Sequence, residues 1–162
     1  MSDCFSKALT EKLPSLRRFA LSLCRNGDIA DDLVQITIER ALRARSSFDP
    51  NSRIEAWLFR ILKNAWIDMV RRNRVRGTEL DVDDSPQIAG ETQHAGDARL
   101  MFVSVMKAVD TLPLEQREVL LLVCVEELSY AEAADVLDVP KGTIMSRLSR
   151  ARSALADRVG IK

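Results

Sequence analysis

The chain has 162 residues, 46% of them hydrophobic and 30% charged, which is typical of a globular protein with one medium or two small domains. Three scattered cysteines and a single histidine exclude a disulfide framework or a zinc site, so we expect no metal, no cofactor and a cytoplasmic location. The N-terminus is not a signal peptide, and the apolar run at 119–125 is too short to span a bilayer, so we expect no membrane insertion.

The formal net charge of zero conceals a strong segregation of charge along the chain. The net charge is +6 over residues 1–76, −5 over 77–99, −6 over 100–140 and +5 over 141–162. Two basic ends separated by an acidic middle indicate two surfaces that contact polyanions. A segregation of charge that only increases solubility would give the same net charges.

Helical spacing of apolar residues predicts an all-α N-terminal domain over residues 1–76, with helices at about 6–24, 28–46 and 53–74. We expect Asp28 to cap the second helix. Ser52 and Glu55 have the spacing of a capping box for the third helix. No alternating pattern typical of strands occurs.

The third helix has a basic face opposite an apolar stripe. The stripe comprises Ile54, Leu58, Ile61, Leu62, Ala65 and Met69. The opposite face carries Arg53, Arg60, Lys63, Asn64, Arg71 and Arg74, with Trp57 at its margin. Cations beside an aromatic ring suit phosphates and an unstacked base. A solvated helix with Trp57 in the core is an equally open interpretation, whereas Trp66 lies on the apolar side and is expected to be core.

Residues 77–96 contain three glycines, a proline and many carboxylates, which predicts a flexible acidic linker. A second all-α domain is expected over residues 97–162. It ends in a helix-turn-helix, whose first helix opens with a capping box at Ser129 and Glu132 and whose turn is at residues 138–140.

The last helix combines an apolar stripe with a polar face of small hydroxyls and arginine. The stripe comprises Ile144, Leu148, Ala151, Leu155 and Val159, and the polar face carries Thr143, Ser146, Ser149, Arg150 and Ser153, flanked by Arg147 and Arg152. Such a face fits a DNA major groove, where hydroxyls and arginine read base edges and flanking arginines hold phosphates. An ordinary amphipathic helix is the weaker alternative.

Taken together, these motifs resemble the bacterial RNA polymerase sigma factors of the extracytoplasmic-function (ECF) type. The residues that carry the resemblance are Asp32-Leu33-Val34-Gln35, Thr37 and Arg40-Ala41; Ala56-Trp57-Leu58-Phe59-Arg60-Ile61, Asn64, Asp68 and Arg71-Arg72; Leu112-Pro113 and Gln116-Arg117; and Pro140, Gly142-Thr143-Ile144, Ser146-Arg147-Leu148 and Arg150-Ala151-Arg152. The resemblance covers nearly the whole chain apart from the linker.

For the N-terminal domain, the resemblance implies sigma region two. Its second helix would bind the clamp helices of the polymerase β′ subunit through Asp32, Gln35 and Arg40. Its third helix and the preceding loop would recognise and open the minus-ten element, with Phe48 and Asn64 lining a pocket for a flipped base. The residues expected to contact this element are Phe48, Arg53, Trp57, Arg60, Lys63, Asn64 and Arg71.

For the C-terminal domain, the resemblance implies sigma region four, whose earlier helices would pack on the polymerase β-flap. The residues expected to read the minus-thirty-five element are Thr143, Met145, Ser146, Arg147, Ser149, Arg150 and Arg152. Met145 stands where many members have Lys or Arg, and it can touch a thymine methyl but not pair with guanine. Ile36 and Glu39 also depart from the family pattern. An anti-sigma factor is an expected partner, since an inhibitor could clamp the two domains together.

The function expected from this resemblance is promoter-directed transcription initiation, with no catalytic residues in the chain. A stand-alone regulator that uses only the helix-turn-helix would leave the basic third helix unexplained. A decoy that binds an anti-sigma factor without touching DNA would not need the basic residues. Binding of core polymerase separates the first two hypotheses.

Overall fold

The computed structural model describes residues 2–77 and 97–160, and within these ranges it contains eight α-helices and no β-strand. The helices are α1 (Ser2–Glu11), α2 (Leu13–Cys24), α3 (Gly27–Arg43), α4 (Ile54–Arg76), α5 (Asp97–Asp110), α6 (Leu114–Leu120), α7 (Tyr130–Leu137) and α8 (Lys141–Val159). A 3-10 turn at Arg45–Ser47 follows α3, and a π-helical turn at Leu121–Val125 follows α6. The predicted all-α class is confirmed. The predicted linker lies, except for Gly77, outside the described residues.

The first predicted helix is two helices, because the chain bends at Lys12. Pro14 lies in the first turn of α2. Proline has no N–H to donate, and its ring clashes with the carbonyl four residues before, so it starts a helix readily but does not continue one. Leu9 before the bend and Leu16 after it are nevertheless both buried, so the apolar spacing predicts the core residues on both sides of the break but not the break itself.

Two of the predicted helix caps are wrong. The Asn26 side chain, not Asp28, caps α3 and accepts hydrogen bonds from the N–H groups of Asp28 and Ile29 at 2.9 and 3.1 Å. Ser52 instead donates to the carbonyl of Asp49 at 2.8 Å, and α4 has no side-chain cap. By contrast, the capping box at Ser129 and Glu132 is confirmed, with reciprocal bonds of 2.9 and 3.0 Å.

The core runs through both halves of the chain without a gap. In the N-terminal half, α2, α3 and α4 enclose Phe19, Leu33, Leu58, Phe59 and Leu62, and the Phe19 and Phe59 rings meet edge-on at 5.3 Å. In the C-terminal half, α6, α7 and α8 enclose Val119, Leu122, Ala133, Ile144 and Leu148. Trp66 is buried, as predicted. None of the described helices is both long and apolar enough to cross a membrane.

The two domains pack against each other, with α7 on α4 and α6 on α2. We call this contact the interdomain seam; its polar contacts pair Lys63 with Glu118, Arg18 with Glu126, Arg53 with Glu127 and Glu132, and Arg117 with Ser22. The seam decides which of the predicted functional residues face solvent.

Candidate nucleic-acid interface

Three aromatic rings form a cluster at the start of α4. The Phe48 and Trp57 ring centroids are 4.9 Å apart, and Phe5 of α1 lies 6.2 and 6.1 Å from them. The Arg45 guanidinium lies 5.1 Å from the centre of the Phe5 ring. All three rings are half-buried. The structure therefore brings Phe48 and Trp57 together and leaves each ring partly accessible.

The basic residues of the third predicted helix do not form one open face. Arg60, Asn64 and Arg71 are exposed on α4. Lys63 instead enters the seam, where its Nζ lies 2.6 Å from Oε1 of Glu118 and only 14% of its side chain is exposed. Arg53, which precedes α4, also reaches across the seam. The tertiary contact thus divides residues that the helical projection places together.

Arg53 makes three contacts, two of which cross the seam. Its Nη1 donates to the carbonyl oxygen of Glu127 at 2.8 Å and to Oε1 of Glu132 at 3.4 Å. Its Nε lies 3.6 Å from Glu55, which also pairs with Lys12 at 2.7 Å. Arg53 is therefore held by these contacts but is not buried, because 43% of its side chain remains exposed to solvent.

The last helix, α8, has the two faces that the sequence predicts. Ile144, Leu148 and Ala151 are fully buried. The opposite side is exposed at Met145, Ser146, Ser149, Arg150 and Arg152. This surface lies outside the seam, because α8 packs on α5, α6 and α7.

Two members of the predicted reading face are half-buried. Thr143 lies in the first turn of α8, and its carbonyl accepts a hydrogen bond from Ser146 at 3.2 Å. The Nη2 of Arg147 lies 3.7 Å from Oε1 of Glu115 on α6, with 21% of the arginine side chain exposed. Arg147 therefore helps to hold α8 to α6.

The three residues expected to bind the polymerase lie on α3 in two different settings. Asp32 and Gln35 are exposed. Arg40 is half-buried, and its Nη1 lies 3.0 Å from Oδ2 of Asp68 on α4. Because this pair joins two helices of the domain core, Arg40 positions α3 against α4.

Comparison with known proteins identifies both halves of the chain. The profile described as Sigma-70 region 2 matches residues 9–76, and the profile described as Sigma-70, region 4 matches residues 102–155. The ECF RNA polymerase sigma factor EcfG of Rhodopseudomonas palustris is 43% identical over 156 residues, which cover 96% of this chain and 85% of that relative. This chain belongs to the ECF family of RNA polymerase sigma factors.

Solved structures agree with this assignment. The sigma factor RpoE from Bartonella quintana, in complex with the anti-sigma factor NepR, matches with a TM-score of 0.81 and 35% identity over 100% of this chain and 99% of that one. CnrH, in complex with the cytosolic domain of CnrY, matches with a TM-score of 0.67 and 27% identity over 99% and 90% of the two chains. The function of this sigma factor is to direct RNA polymerase to promoters.

The residues of the sigma factor that sequence reasoning missed lie in the seam. The sequence analysis names neither Glu118 nor Glu126, and it names Arg117 only among the residues that carry the resemblance, yet each of the three crosses between the domains. A signal was present, since residues 1–76 carry a net charge of +6 and residues 100–140 a net charge of −6. Opposite charges on two adjacent domains favour their mutual attraction.

Burial shifts the pKa values of two residues in the seam, Glu118 and Arg117. Burial raises the pKa of Glu118, and the nearby cations Lys63, Arg147 and Arg117 only partly offset it. Burial also lowers the pKa of Arg117 to about 10, with a further contribution from Arg25. Arg117 therefore remains a cation at neutral pH, with Asp110 and Glu118 favouring its charged form.

Proposed function

We propose that the two domains of this sigma factor read the two promoter elements through separate surfaces. The minus-ten surface comprises Phe48, Arg53, Trp57, Arg60, Lys63, Asn64 and Arg71. The minus-thirty-five surface comprises Thr143, Met145, Ser146, Arg147, Ser149, Arg150 and Arg152. The observation that carries the proposal is α8, whose polar side faces solvent while its apolar side is buried against α6 and α7.

The minus-thirty-five surface has the chemistry of direct readout. Arg150 can make a bidentate contact with guanine, and Ser146 and Ser149 can bond to base edges. Met145 is 52% exposed at the centre of this surface, where its thioether can pack on a thymine methyl. Exposed Arg152 at the flank can bind a phosphate, which fixes the register of the helix.

The minus-ten surface carries side chains that can bind an unpaired DNA strand. Half-buried rings at Phe48 and Trp57 offer a stacking platform for an unpaired base. Exposed Asn64 can hydrogen-bond to the edge of that base, and Arg60 and Arg71 can follow the phosphates. Extruding a base costs a few kcal/mol, which stacking and hydrogen bonding offset.

We further propose the family's polymerase contacts for this chain. Asp32 and Gln35 are exposed on α3 and are suited to the β′ clamp helices, with Arg40 at the edge of that surface. Leu100, Met101 and Phe102 are 68%, 55% and 53% exposed at the start of α5. Such an exposed apolar segment fits the β-flap, whose binding would cover it.

An anti-sigma factor is the third proposed partner. The similar sigma factor RpoE was solved in complex with the anti-sigma factor NepR, and the similar protein CnrH in complex with the cytosolic domain of CnrY. In this chain the two domains already pack together, so an inhibitor that bridges them would hold an arrangement the chain can adopt. The sigma factor itself needs no catalytic residue or cofactor, because the polymerase performs the chemistry, and it acts in the cytoplasm.

The test is reconstituted transcription. Purified chain is mixed with core RNA polymerase and sheared genomic DNA from its source, and transcript 5′ ends are sequenced. Starts that share two upstream elements support the proposal. Asp32→Ala with Gln35→Ala should abolish core binding on a native gel while leaving the fold intact.

Separate measurements of binding to core polymerase and to promoter DNA distinguish the two alternative functions. Specific DNA binding without polymerase binding would indicate a stand-alone regulator. Binding of neither polymerase nor DNA would indicate a decoy for an anti-sigma factor.

A further inference from the structure

A groove lies between α3 and α4, and none of its lining residues makes one of the polar contacts of the interdomain seam. Ile36 and Arg40, about one turn apart, line it from α3. The α4 wall includes four residues at the three- and four-residue steps that place side chains on one face of a helix: Ala65, Met69, Arg72 and Arg76. We call this space the α3–α4 groove.

The α3–α4 groove has room for a small ligand. Its volume is about 130 Å³, whereas a single water molecule needs about 10–15 Å³. Ala65 is buried and its side chain ends at a methyl group, while Ile36 and Met69 are half-buried beside it. Arg72 and Arg76 are exposed. The groove therefore has an apolar base and charged groups at its opening.

Three guanidinium groups line the groove, and one carboxylate pairs with one of them. The Nη1 of Arg40 lies 3.0 Å from Oδ2 of Asp68. Among the residues that the structure describes, the side chains of Arg72 and Arg76 form no hydrogen bond or ion pair. These two arginines are four residues apart on α4, a spacing at which like charges repel each other. Three cations and one carboxylate thus leave two positive charges at the groove.

The groove is separate from the proposed minus-ten surface. Arg72 and Arg76 lie about 100° and 140° around α4 from Arg71, whereas Arg60 and Asn64 lie within about 20° of it. A DNA strand that follows Arg60 and Arg71 therefore passes on a different side of α4 from the groove.

We propose that the α3–α4 groove is a binding site for the phosphate monoester group of a small molecule. Such a group carries a charge of about −1.5 to −2 at neutral pH, which matches the two positive charges left at the groove. A phosphodiester of a nucleic acid carries only one negative charge. The inference does not use the assignment of the two DNA surfaces, so it is tested separately from the proposed function.

The residues of the groove have distinct roles towards this ligand. Arg40 is held in position by Asp68 and has further N–H donors in its guanidinium group. Arg72 and Arg76 donate paired hydrogen bonds to the phosphate oxygens, a geometry to which the planar guanidinium is suited. The apolar side chains of Ile36 and Met69 contact the part of the ligand that carries the phosphate.

Two variants and one matched control test the site. Arg72→Gln with Arg76→Gln removes both unpaired guanidinium groups, and both side chains are exposed, so the fold should be retained. Ile36→Glu is an independent route, because it places a carboxylate in the groove that pairs with the arginines and repels the ligand. The control, Lys7→Gln with Arg158→Gln, removes two exposed cations outside the groove and gives the same net charge as the first variant. Circular dichroism verifies that each variant is folded.

Binding is measured by NMR on the full chain labelled at its isoleucine and methionine methyl groups, with inorganic phosphate and adenosine monophosphate as probes. Chloride keeps the ionic strength constant, so that general screening does not change during the titration. Both probes should shift the Met69 methyl signal to saturation. Adenosine, which lacks the phosphate, should cause no shift, and dimethyl phosphate, a diester with one negative charge, should bind at least about tenfold more weakly.

Arg72→Gln with Arg76→Gln should weaken phosphate binding at least about tenfold, the scale of one lost hydrogen bond to a charged group. Ile36→Glu should abolish binding, and the control should bind like the wild type. Equal affinity for phosphate in the wild type and both groove variants overturns the proposed site. Equal binding of phosphate and dimethyl phosphate also overturns it, because the groove would then not select a dianion. A DNA duplex of random sequence that shifts the same Met69 signal would place a DNA phosphate in the groove and overturn the assignment to a small molecule.

Discussion

The Nε of Arg117 in α6 donates a hydrogen bond of 2.7 Å to the carbonyl oxygen of Ser22 in α2. Ser22 lies in the last turn of α2, where helix carbonyls have no partner within the helix. The Nη1 of Arg117 also donates a hydrogen bond to the carbonyl oxygen of Leu112 at 3.0 Å. A buried guanidinium from one domain thus satisfies the end of a helix in the other, where the helix dipole favours a cation.

Arg117→Ala should destabilise the protein. The change leaves the Ser22 and Leu112 carbonyls without their donor, and each unsatisfied buried acceptor costs about 1–3 kcal/mol. Urea unfolding should show a lower midpoint, while Lys7→Ala, which removes an exposed cation of α1, should leave it nearly unchanged. Equal midpoints for wild type and Arg117→Ala would show that these two hydrogen bonds contribute nothing to stability.

The fluorescence of Trp57 should change when the minus-ten strand binds. Trp66 is buried, so the variant Trp66→Phe leaves Trp57 as the single tryptophan, half-buried beside Phe48. Stacking of a base on this cluster should quench its emission. The reciprocal variant Trp57→Phe should show no quenching. An unchanged Trp57 signal on saturation with the strand would place the base elsewhere.

Asn64→Ala should impair promoter melting more than initial promoter binding. The Asn64 side chain is exposed on α4, about two helical turns after Trp57, and the proposed contact exists only after the base leaves the duplex. Permanganate reactivity of the open strand should fall about tenfold, equivalent to about 1.4 kcal/mol, with closed-complex affinity preserved. Asn73→Ala, on the opposite side of α4, is the control. Normal melting in Asn64→Ala would exclude this role.

Arg150→Ala should weaken binding of the minus-thirty-five duplex by about 1–3 kcal/mol, the usual size of a bidentate base contact. Arg158→Ala makes the same change of charge farther along α8, where the guanidinium donates to the Ala154 carbonyl. A titration of both variants with one duplex separates base reading from loss of positive charge. Equal affinities for the two variants would mean that α8 docks differently.

Glu118 should make the free energy of unfolding depend on pH. Because burial raises its pKa above the ordinary 4.5, the native protein holds this proton more tightly than the unfolded chain. Its contribution to the free energy of unfolding is therefore fully present below pH 4.5 and is lost as the pH rises through the raised pKa. Glu118→Gln should remove that decline, which urea midpoints measured from about pH 4 to pH 7 would reveal. Parallel curves for both proteins would contradict the direction of the shift.

Local signals in the sequence predicted α8 with particular success. The period of Ile144, Leu148 and Ala151 places one side of the helix in the core, and the structure confirms it. The capping box at Ser129 and Glu132 was also readable, because its bonds lie within four residues. At Ser52 the same pattern failed, since Glu55 pairs instead with Lys12 of the segment between α1 and α2.

The chain's sequence by itself determined the all-helical class, the core-facing stripes of α4 and α8 and the family, since these depend on residues close together in the chain. Only the tertiary structure decided that Lys63 and Arg53 turn towards Glu118 and Glu132, while Arg150 stays open to solvent. Helical periodicity fixes the direction of a side chain on its own helix, but it contains no information about which distant helix packs there. That choice arises from burial and charge pairing between segments more than fifty residues apart.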